Sequence, residues 1–574
     1  MQLSALDWGI IISFFIITLL IGVAVTKKAG KNSSEFFLSG RNMPWWLLGV
    51  SMVATTFAAD TPNLVAGIVR QDGVSGNWVW WAFLLTGMLT VFVYARLWRR
   101  LGISTDLEYY EIRYQGKAAG FLRGFRAVYL GVFFNIVIMA TVCLAGIKIG
   151  ETMLGLVWWK TLGITGIITI LYSMLGGLRG VIFTDFFQFI VAMIGSIWAA
   201  YYIVNLPEVG GMSGLLSNEL VQSKLDFVPS QSSNEQLWLM AFVIPLAVQW
   251  WSVWYPGAEP GGGGYIAQRM LSAKDEKHAT KATLFFNFAH YALRPWPWIL
   301  IGLASLVIFP DIASLQAEYP DMNPDLVKHD LAYPAMLTYL PAGLLGLVLA
   351  SLISAFMSTI STHLNWGSSY VVNDLYKRFI KPDATEKQLV MVGRLSTVLM
   401  MVFAIALAPI LEEAKMAFDL ILTIGAGTGL LFILRWFWKD INPYSEITAM
   451  TVSFLVAMFF FTAEKNELME IDAVTKLLSG ILITTVAWVA VTFITKNNKH
   501  LNPEFEKRAF ADEGKFKNMG YKVLSMVLGT ITIYSALFCT GKFILGDTTQ
   551  ALYFFIVFAV TSVSLYFCWK KIFK

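Results

Sequence analysis

The sequence predicts an all-α polytopic membrane protein, and its composition and the length of its apolar stretches support this fold class. Of the 574 residues, 56% are hydrophobic and only 14% are charged, far from the balance of soluble domains. The apolar stretches have the length of a membrane-spanning helix, roughly 20 residues, and not that of a barrel strand. The net charge of +5 does not indicate nucleic-acid binding, and the three cysteines have neither disulfide nor metal-ligand spacing.

Fifteen apolar stretches along the chain are candidate spans. The first begins near Leu6 without a basic leader or cleavage motif, so we expect a retained helix. Lysine and arginine concentrate in alternate connections, such as 269–281 and 377–387. This asymmetry predicts an N-terminus outside and a C-terminus in the cytoplasm. The expected location is the plasma (inner) membrane. The longest connection, 496–522, is charged and is expected to be a solvated connector or a short amphipathic segment.

Two blocks of five spans follow the first helix, and an odd number of spans per block gives the blocks opposite orientations. This arithmetic predicts an inverted repeat, in which a bound solute lies near the membrane midplane between interrupted helices. The predicted organisation is an N-terminal helix with the first cytoplasmic loop (1–43), repeat 1 (44–205), an extracellular loop (206–235), repeat 2 (236–440) and about four C-terminal accessory helices (441–574).

The first helix of each block carries residues that interrupt a helix. In repeat 1, Pro62 removes a backbone donor, and Asp60 is costly in lipid unless it faces a cavity or a partner. In repeat 2, two prolines and five glycines lie between Pro256 and Gly264, and no continuous helix survives that composition. Interruptions at matching positions favour a functional origin over a local kink.

A run of hydroxyl residues lies within a later apolar stretch, where Ser358 to Thr362 supplies four hydroxyls in five residues. Ala355, Ser358, Thr359 and Thr362 are spaced to share one helical face. Hydroxyls that face backbone carbonyls of another helix would form an oxygen cage for a hard monovalent cation. The alternative is a packing seam of small residues whose hydroxyls bond to their own helix.

Three motifs resemble the sodium/solute symporter family, which includes the sodium/proline and sodium/galactose transporters. They are the Gly-Gly to Gln segment 176–188, the Gln-Arg-Met-Leu-Ser-Ala-Lys loop 268–274, and Met357-Ser358-Thr359 followed by Asn373 to Lys377. The set reaches from about residue 40 to about residue 440. The resemblance implies a LeuT-like core of five plus five helices.

The resemblance also implies sodium sites. The first lies between the broken helix of repeat 1 and the hydroxyl helix, and the matching residues are Ala58, Thr61, Ala355, Ser358 and Thr359. Some family members hold a second ion, and the matching residues are Asp185, Ser358, Ser361 and Thr362. Asp185 has an alternative role, because it could pair with Arg179 or cap a helix.

The sequence indicates the substrate site less directly than the sodium sites. Aromatic, amide and charged side chains near both interruptions are the candidates: Asp60, Asn63, Gln249, Trp250, Trp254, Glu259, Tyr265 and Arg294. Two alternatives stay open. Asp60 either acts at the site or caps the second half-helix. Arg294 either binds an anionic substrate or pairs with Glu259.

The implied function is sodium-coupled import of a small organic solute by alternating access, with a sugar or sugar-like solute favoured. The alternatives are an amino acid or carboxylate symporter and a transport-inactive solute sensor of the same fold. The expected partners are the solute, the lipid bilayer and Na⁺ as the coupling ion, with no other metal or cofactor. The sequence does not fix the oligomeric state, and a monomer is compatible with it. Neither a catalytic constellation nor a loop long enough for a catalytic domain appears, so an enzyme is not expected.

Overall fold

The computed structural model describes residues 3–232, 235–252, 259–320, 324, 327–410, 425, 427–466, 471–496, 501–511 and 514–573. In these ranges the protein is built from helices without a β-strand, and only two isolated bridges occur, Met43 with Ala273 and Tyr114 with Leu501. The principal helices are Ala5–Ala29, Ser33–Leu38, Trp45–Thr55, Thr61–Asp72, Val74–Leu101, Tyr109–Arg113, Lys117–Ile147 extending to Leu154, Trp158–Val204, Gly211–Ser217, Glu235–Ala247, Gly264–Ser272, Glu276–Ile308, Ile312–Glu318, Ala332–Leu337, Leu344–Ile380, Glu386–Ile410, Gly429–Leu434, Pro443–Lys465, Ala473–Ile494, Pro503–Phe510, Met519–Ile544 and Thr548–Ile572.

The chain is a multi-pass membrane protein. Within its described part, 11 helices are long and apolar enough to cross a membrane, and Trp45–Thr55 and Glu235–Ala247 are shorter apolar helices. The 47-residue helix Trp158–Val204 contains two of the predicted spans. Residues 416–424 and 426 of the predicted span 416–438 lie outside the described residues, and the helix Gly429–Leu434 lies in its described part.

Gly177 is the point at which these two spans meet. Its φ of +50° and ψ of −157° lie outside the helical region, in backbone space that favours glycine. A Cβ at this position would lie 2.5 Å from the carbonyl oxygen of Phe36. The backbone conformation and the close approach of Phe36 therefore both require glycine here, and a single residue makes the turn between the spans.

Both predicted interruptions are present. In repeat 1 the helix Trp45–Thr55 ends and Thr61–Asp72 begins after residues 56–60; we call these two half-helices the broken helix. In repeat 2 an α-helical segment ends near Ala247, a 3₁₀ turn covers Gln249–Trp251, residues 253–258 lie outside the described residues, and a helix begins at Gly264 after non-helical residues 259–263. Gly261 and Gly262, with φ of +87° and +90°, shape the backbone just before it.

Leu344–Tyr370 carries the hydroxyl run and is called the hydroxyl helix below. Almost every side chain in it is buried, and it packs against Trp158–Val204, Ala5–Ala29 and Glu386–Leu407. Asp7 fixes its start, because Asp7 Oδ1 accepts hydrogen bonds of 2.7 Å from the backbone N–H groups of Gly343 and Gly346. The N-terminal helix thus caps the hydroxyl helix through a buried carboxylate.

The connection after residue 496 is more ordered than a solvated connector. Pro503–Phe510 is a helix that buries Phe505 and Phe510, and the Arg113 guanidinium lies 4.9 Å from the centre of the Phe505 ring. The backbone N–H of Asn502 donates to the carbonyl oxygen of Arg113 at 3.1 Å. The amphipathic alternative therefore describes this segment, which docks on the connection that follows Leu101.

Candidate functional site

The hydroxyl helix meets the broken helix at Thr55, where the first half-helix ends. Thr359 Oγ1 donates to the Thr55 carbonyl oxygen at 3.0 Å. Thr55 Oγ1 already donates to Ser51 O at 2.8 Å, so the 2.9 Å contact between Thr55 Oγ1 and Thr362 Oγ1 has Thr362 as its donor. The carbonyl at a helix end lacks an intrahelical partner, and here a hydroxyl supplies one.

The residues predicted for the first sodium site lie on these two elements. Ala355, Ser358 and Thr359 are buried on the hydroxyl helix, while Ala58 and Thr61 lie at the interruption, where Thr61 N–H donates to Ala58 O at 3.1 Å. The structure therefore brings the two elements together. The carbonyl that the hydroxyl helix contacts directly is that of Thr55.

Asp185 lies fully buried against the residues predicted for the second sodium. Its Oδ1 accepts a 2.7 Å hydrogen bond from Ser358, and its Oδ2 accepts one of 2.5 Å from Ser51. The predicted alternative partner, Arg179, instead lies 3.7 Å from Glu35, so the pairing of Asp185 with Arg179 is wrong. Ser361 donates to Ser358 O in its own helix at 3.0 Å, as the packing alternative expected.

A basic side chain, Arg269, enters the cluster around Asp185. Its Nη2 lies 3.6 Å from Asp185 Oδ2 and donates to Thr362 Oγ1 at 2.7 Å, and its Nε donates to Ser51 Oγ at 3.2 Å. Arg269 is 0% exposed. A guanidinium, which is permanently charged, thus faces the same carboxylate and hydroxyl that sodium would use.

A pocket opens beside the broken helix, between the helices that contain Thr86 and His290. Its walls combine aromatic rings with hydroxyl, amide and imidazole groups: Thr56, Phe83, Thr86, Gly87, Thr90, Glu259, Gly262, Gly263, Tyr265, Ile266, Thr283, Phe286, Asn287, His290 and Tyr291. Trp80 stacks on Tyr291 with ring centres 5.8 Å apart. The buried Oδ1 of Asn287 has no hydrogen-bond partner among the residues that the structure describes.

Arg294 lies behind this pocket and fixes the state of His290. Its Nη2 lies 3.3 Å from His290 Nε2, and its Nη1 donates to Thr56 Oγ1 at 3.2 Å. A guanidinium only donates, so His290 Nε2 accepts and the imidazole is neutral with its proton on Nδ1. His290 Nδ1 lies 3.0 Å from Thr56 Oγ1 and donates to it, and Thr56 Oγ1 donates to Val53 O at 2.9 Å.

Glu259 does not pair with Arg294, so that sequence alternative is wrong. Its carboxylate contacts Arg126 directly and lies 3.6 Å from Arg435. Arg435 also pairs with Glu446 at 3.2 Å. Glu259 therefore anchors the segment that precedes the helix at Gly264 to two other parts of the protein, at Arg126 and at Arg435. The side chains of Glu259, Arg126, Arg435 and Glu446 are all buried.

The other substrate candidates are spread out. Asp60 stands at the N-cap position of Thr61–Asp72, but its side chain makes no capping hydrogen bond and is exposed; the capping role is wrong. Asn63 is half-buried in that helix. Gln249 and Trp250 lie in a short 3₁₀ turn, and Trp250 O accepts a hydrogen bond from Thr86. Tyr265 lines the pocket, and Trp254 lies outside the described residues.

Sequence reasoning missed several residues that the geometry brings forward: Ser51, Thr55, Thr56, Arg269 and Asn287. Arg269 stands in a quoted motif, but the motif does not reveal which carboxylate its side chain reaches. Thr55 and Thr56 could have been found from the interruption itself, because the last residues of a half-helix present its unpaired carbonyls.

The comparisons with known proteins agree with this architecture. The model of the sodium:solute symporter family matches residues 36–453. The chain belongs to this family. Among its relatives, the sodium/glucose cotransporter of Vibrio parahaemolyticus is 27% identical over 473 residues, which are 80% of this chain and 85% of that protein. The human sodium/myo-inositol cotransporter 2 is 26% identical over 550 residues, 92% of this chain and 75% of that protein.

A solved structure shares the fold. The substrate-bound outward-open structure of a Na⁺-coupled sialic acid symporter matches with a TM-score of 0.69 at 20% identity, covering 86% of this chain and 98% of that one. The LeuT-like, inverted-repeat fold predicted from the sequence is therefore confirmed, as is membership of the family.

Proposed function

We propose that this protein is a sodium-coupled symporter that imports a sugar or sugar-like solute by alternating access. The observation that carries the proposal is the position of one helix break, which touches the hydroxyl helix through Thr55 and the pocket through Thr56. Aromatic walls with hydroxyl and amide groups suit a polyhydroxy ring. The names of the relatives, which include glucose and myo-inositol cotransporters, support the same class of solute.

The first sodium would be held by the carbonyls of Ala58, Thr61 and Ala355 and the hydroxyls of Ser358 and Thr359. A carbonyl freed by a helix break is a ready cation ligand in inverted-repeat transporters. The hydrogen of Thr359 is directed at Thr55 O, so its lone pairs are free to coordinate an ion. Sodium would thereby hold the broken helix against the hydroxyl helix and favour the outward-open state.

The second sodium would use Asp185, Ser358, Ser361 and Thr362. Arg269 competes with it, because one carboxylate cannot neutralise both a guanidinium and an ion. The second ion therefore requires Arg269 to leave Asp185 at some stage of the cycle. In the arrangement described, with Arg269 3.6 Å from Asp185, we infer that one sodium is coupled.

The proposed orientation places the N-terminus outside and the C-terminus in the cytoplasm. A membrane potential would then add roughly 2.3 kcal/mol per charge for each 100 mV to the driving force.

A carboxylate-bearing solute is the second candidate, because the buried Arg294 has no acidic partner among the residues that the structure describes. A solute sensor that does not transport is the third candidate, and the uptake experiment below distinguishes it from a symporter.

The test is uptake into proteoliposomes with an imposed inward sodium gradient, over a panel of sugars, cyclic polyols, amino acids and carboxylates. We expect sodium-dependent accumulation of a sugar or polyol. Accumulation of a carboxylate alone would favour the second candidate, and no accumulation of any solute would reject the symporter. Ser358→Ala combined with Thr359→Ala should abolish sodium dependence, whereas the control Ser368→Ala, whose hydroxyl bonds to Leu364 O and contacts Thr397, should retain it.

A further inference from the structure

Two adjacent threonines end the first half of the broken helix, and they face different partners. Thr55 contacts Thr359 and Thr362 of the hydroxyl helix. Thr56 contacts His290 and Arg294 at the pocket. Because consecutive side chains on a helix point about 100° apart, one short piece of backbone carries both sets of contacts.

The contacts of Thr56 form a closed chain of donors and acceptors. Arg294 donates to both His290 Nε2 and Thr56 Oγ1, the His290 Nδ1 proton faces Thr56 Oγ1, and Thr56 donates to Val53 O. Thr56 and His290 also line the pocket. A displacement of the helix end at Thr55 therefore moves the oxygen that orients the imidazole and the guanidinium.

We propose that Thr56 is the positioning residue that couples sodium binding to the shape of the solute pocket. The proposal rests on the proposed function, because it assumes that sodium binds between the broken helix and the hydroxyl helix. Sodium would draw the backbone at residues 55–61 toward Ser358 and Thr359. Thr56 would transmit this shift to His290 and Arg294, and solute binding would by reciprocity tighten sodium binding.

The test uses a reporter that does not depend on knowing the solute. Thr283 lines the pocket, and its hydroxyl bonds only to Ala279 O in its own helix among the described residues. In a Thr283→Cys chain reconstituted in liposomes, the rate of labelling by an impermeant maleimide is measured in sodium chloride and in choline chloride. The parent chain, with Cys143, Cys539 and Cys568, supplies the blank.

We expect sodium to change the labelling rate roughly fivefold or more, the lower end of ordinary coupling between sites. In the Thr56→Val background, which keeps the side-chain shape and removes the hydroxyl, the ratio should fall to about one. Thr56→Ser should restore it, and this variant separates loss of coupling from misfolding. Thr280→Val is the matched control, because Thr280 is buried and its hydroxyl donates to Glu276 O in its own helix.

A sodium effect that persists in Thr56→Val would overturn the proposal, as would an equal loss in Thr280→Val. The proposed function is judged separately by sodium-driven uptake of D-glucose and myo-inositol, and of the wider panel, by the parent chain. Uptake by the parent together with a full sodium effect in Thr56→Val would reject the coupling role and leave the symporter intact. Absence of uptake by the parent would reject the symporter itself.

Discussion

Arg269 Nη2 lies 3.6 Å from Asp185 Oδ2, and neither side chain is exposed. The two charges neutralise each other next to the hydroxyls of Ser358 and Thr362. An internal guanidinium thus stands where a second sodium is predicted, and the pair can be separated experimentally from the first sodium site.

Asp185→Asn should destabilise the protein strongly, because it leaves Arg269 charged, buried and without its carboxylate. Breaking one side of a buried ion pair typically costs about 3–5 kcal/mol. Arg269→Gln should instead leave a carboxylate that sodium can neutralise, so sodium chloride should raise its melting temperature more than it raises that of the parent. Thermal unfolding in detergent, in sodium and in choline chloride, measures both effects. An Arg269→Gln variant whose melting temperature is the same in sodium and in choline chloride would contradict a cation site at Asp185.

Glu259→Gln should also be destabilising, because Arg126 would lose the carboxylate that it contacts, whereas Arg435 would keep Glu446. We expect a loss of roughly 3–5 kcal/mol in the free energy of unfolding. Glu464→Gln is the matched control: this carboxylate pairs with Lys476 at 2.6 Å but is 65% exposed, so its removal should cost less than about 1 kcal/mol. Similar melting temperatures for the two variants would contradict the anchoring role of Glu259.

Gly87→Ala should weaken solute binding, because the added Cβ would overlap Asn287 Oδ1 in the pocket wall. The amide must swing away, and we expect the solute concentration for half-maximal uptake to rise roughly fivefold or more. At a saturating solute concentration, the sodium concentration for half-maximal uptake should change little. Gly480→Ala, which adds a Cβ with no atom within 4 Å, should behave like the parent. Unchanged uptake in Gly87→Ala would exclude a contact role for this wall.

Glu111, which lies outside the membrane-spanning segments, should make the stability of the protein depend on pH. Burial alone would raise the pKa of its carboxyl, but hydrogen bonds from Arg378 and Arg123 hold the pKa below its ordinary value. A depressed folded pKa stabilises the protein fully above the unfolded pKa, and this contribution is lost as the pH falls through the folded pKa. Glu111→Gln should therefore lower the melting temperature near neutral pH. The difference from the parent should shrink below about pH 4, and a constant difference would contradict the prediction.

Much of the site was predictable because it depends on patterns that are local in sequence. Proline and glycine mark both interruptions, and helical spacing places Ser358, Thr359 and Thr362 on one face, where the structure has them. The side-chain partners were not predictable, because they depend on competition among charges from distant segments. Glu259 contacts Arg126 and Arg435, and Asp185 contacts Arg269, although sequence reasoning offered Arg294 and Arg179. The docking of Pro503–Phe510 was hidden for a similar reason, since its amphipathic pattern does not identify the surface that covers it.

The turn at Gly177 has a consequence for how the chain enters the bilayer. The two spans share one helix of 47 residues. They therefore have no hydrated loop between them that could remain outside the bilayer while the second span inserts. They are therefore expected to insert together as a hairpin, with Phe36 packed at the bend. An epitope or protease site placed between them would have to break this contact, so topology mapping at this bend would report the damage and not the native arrangement.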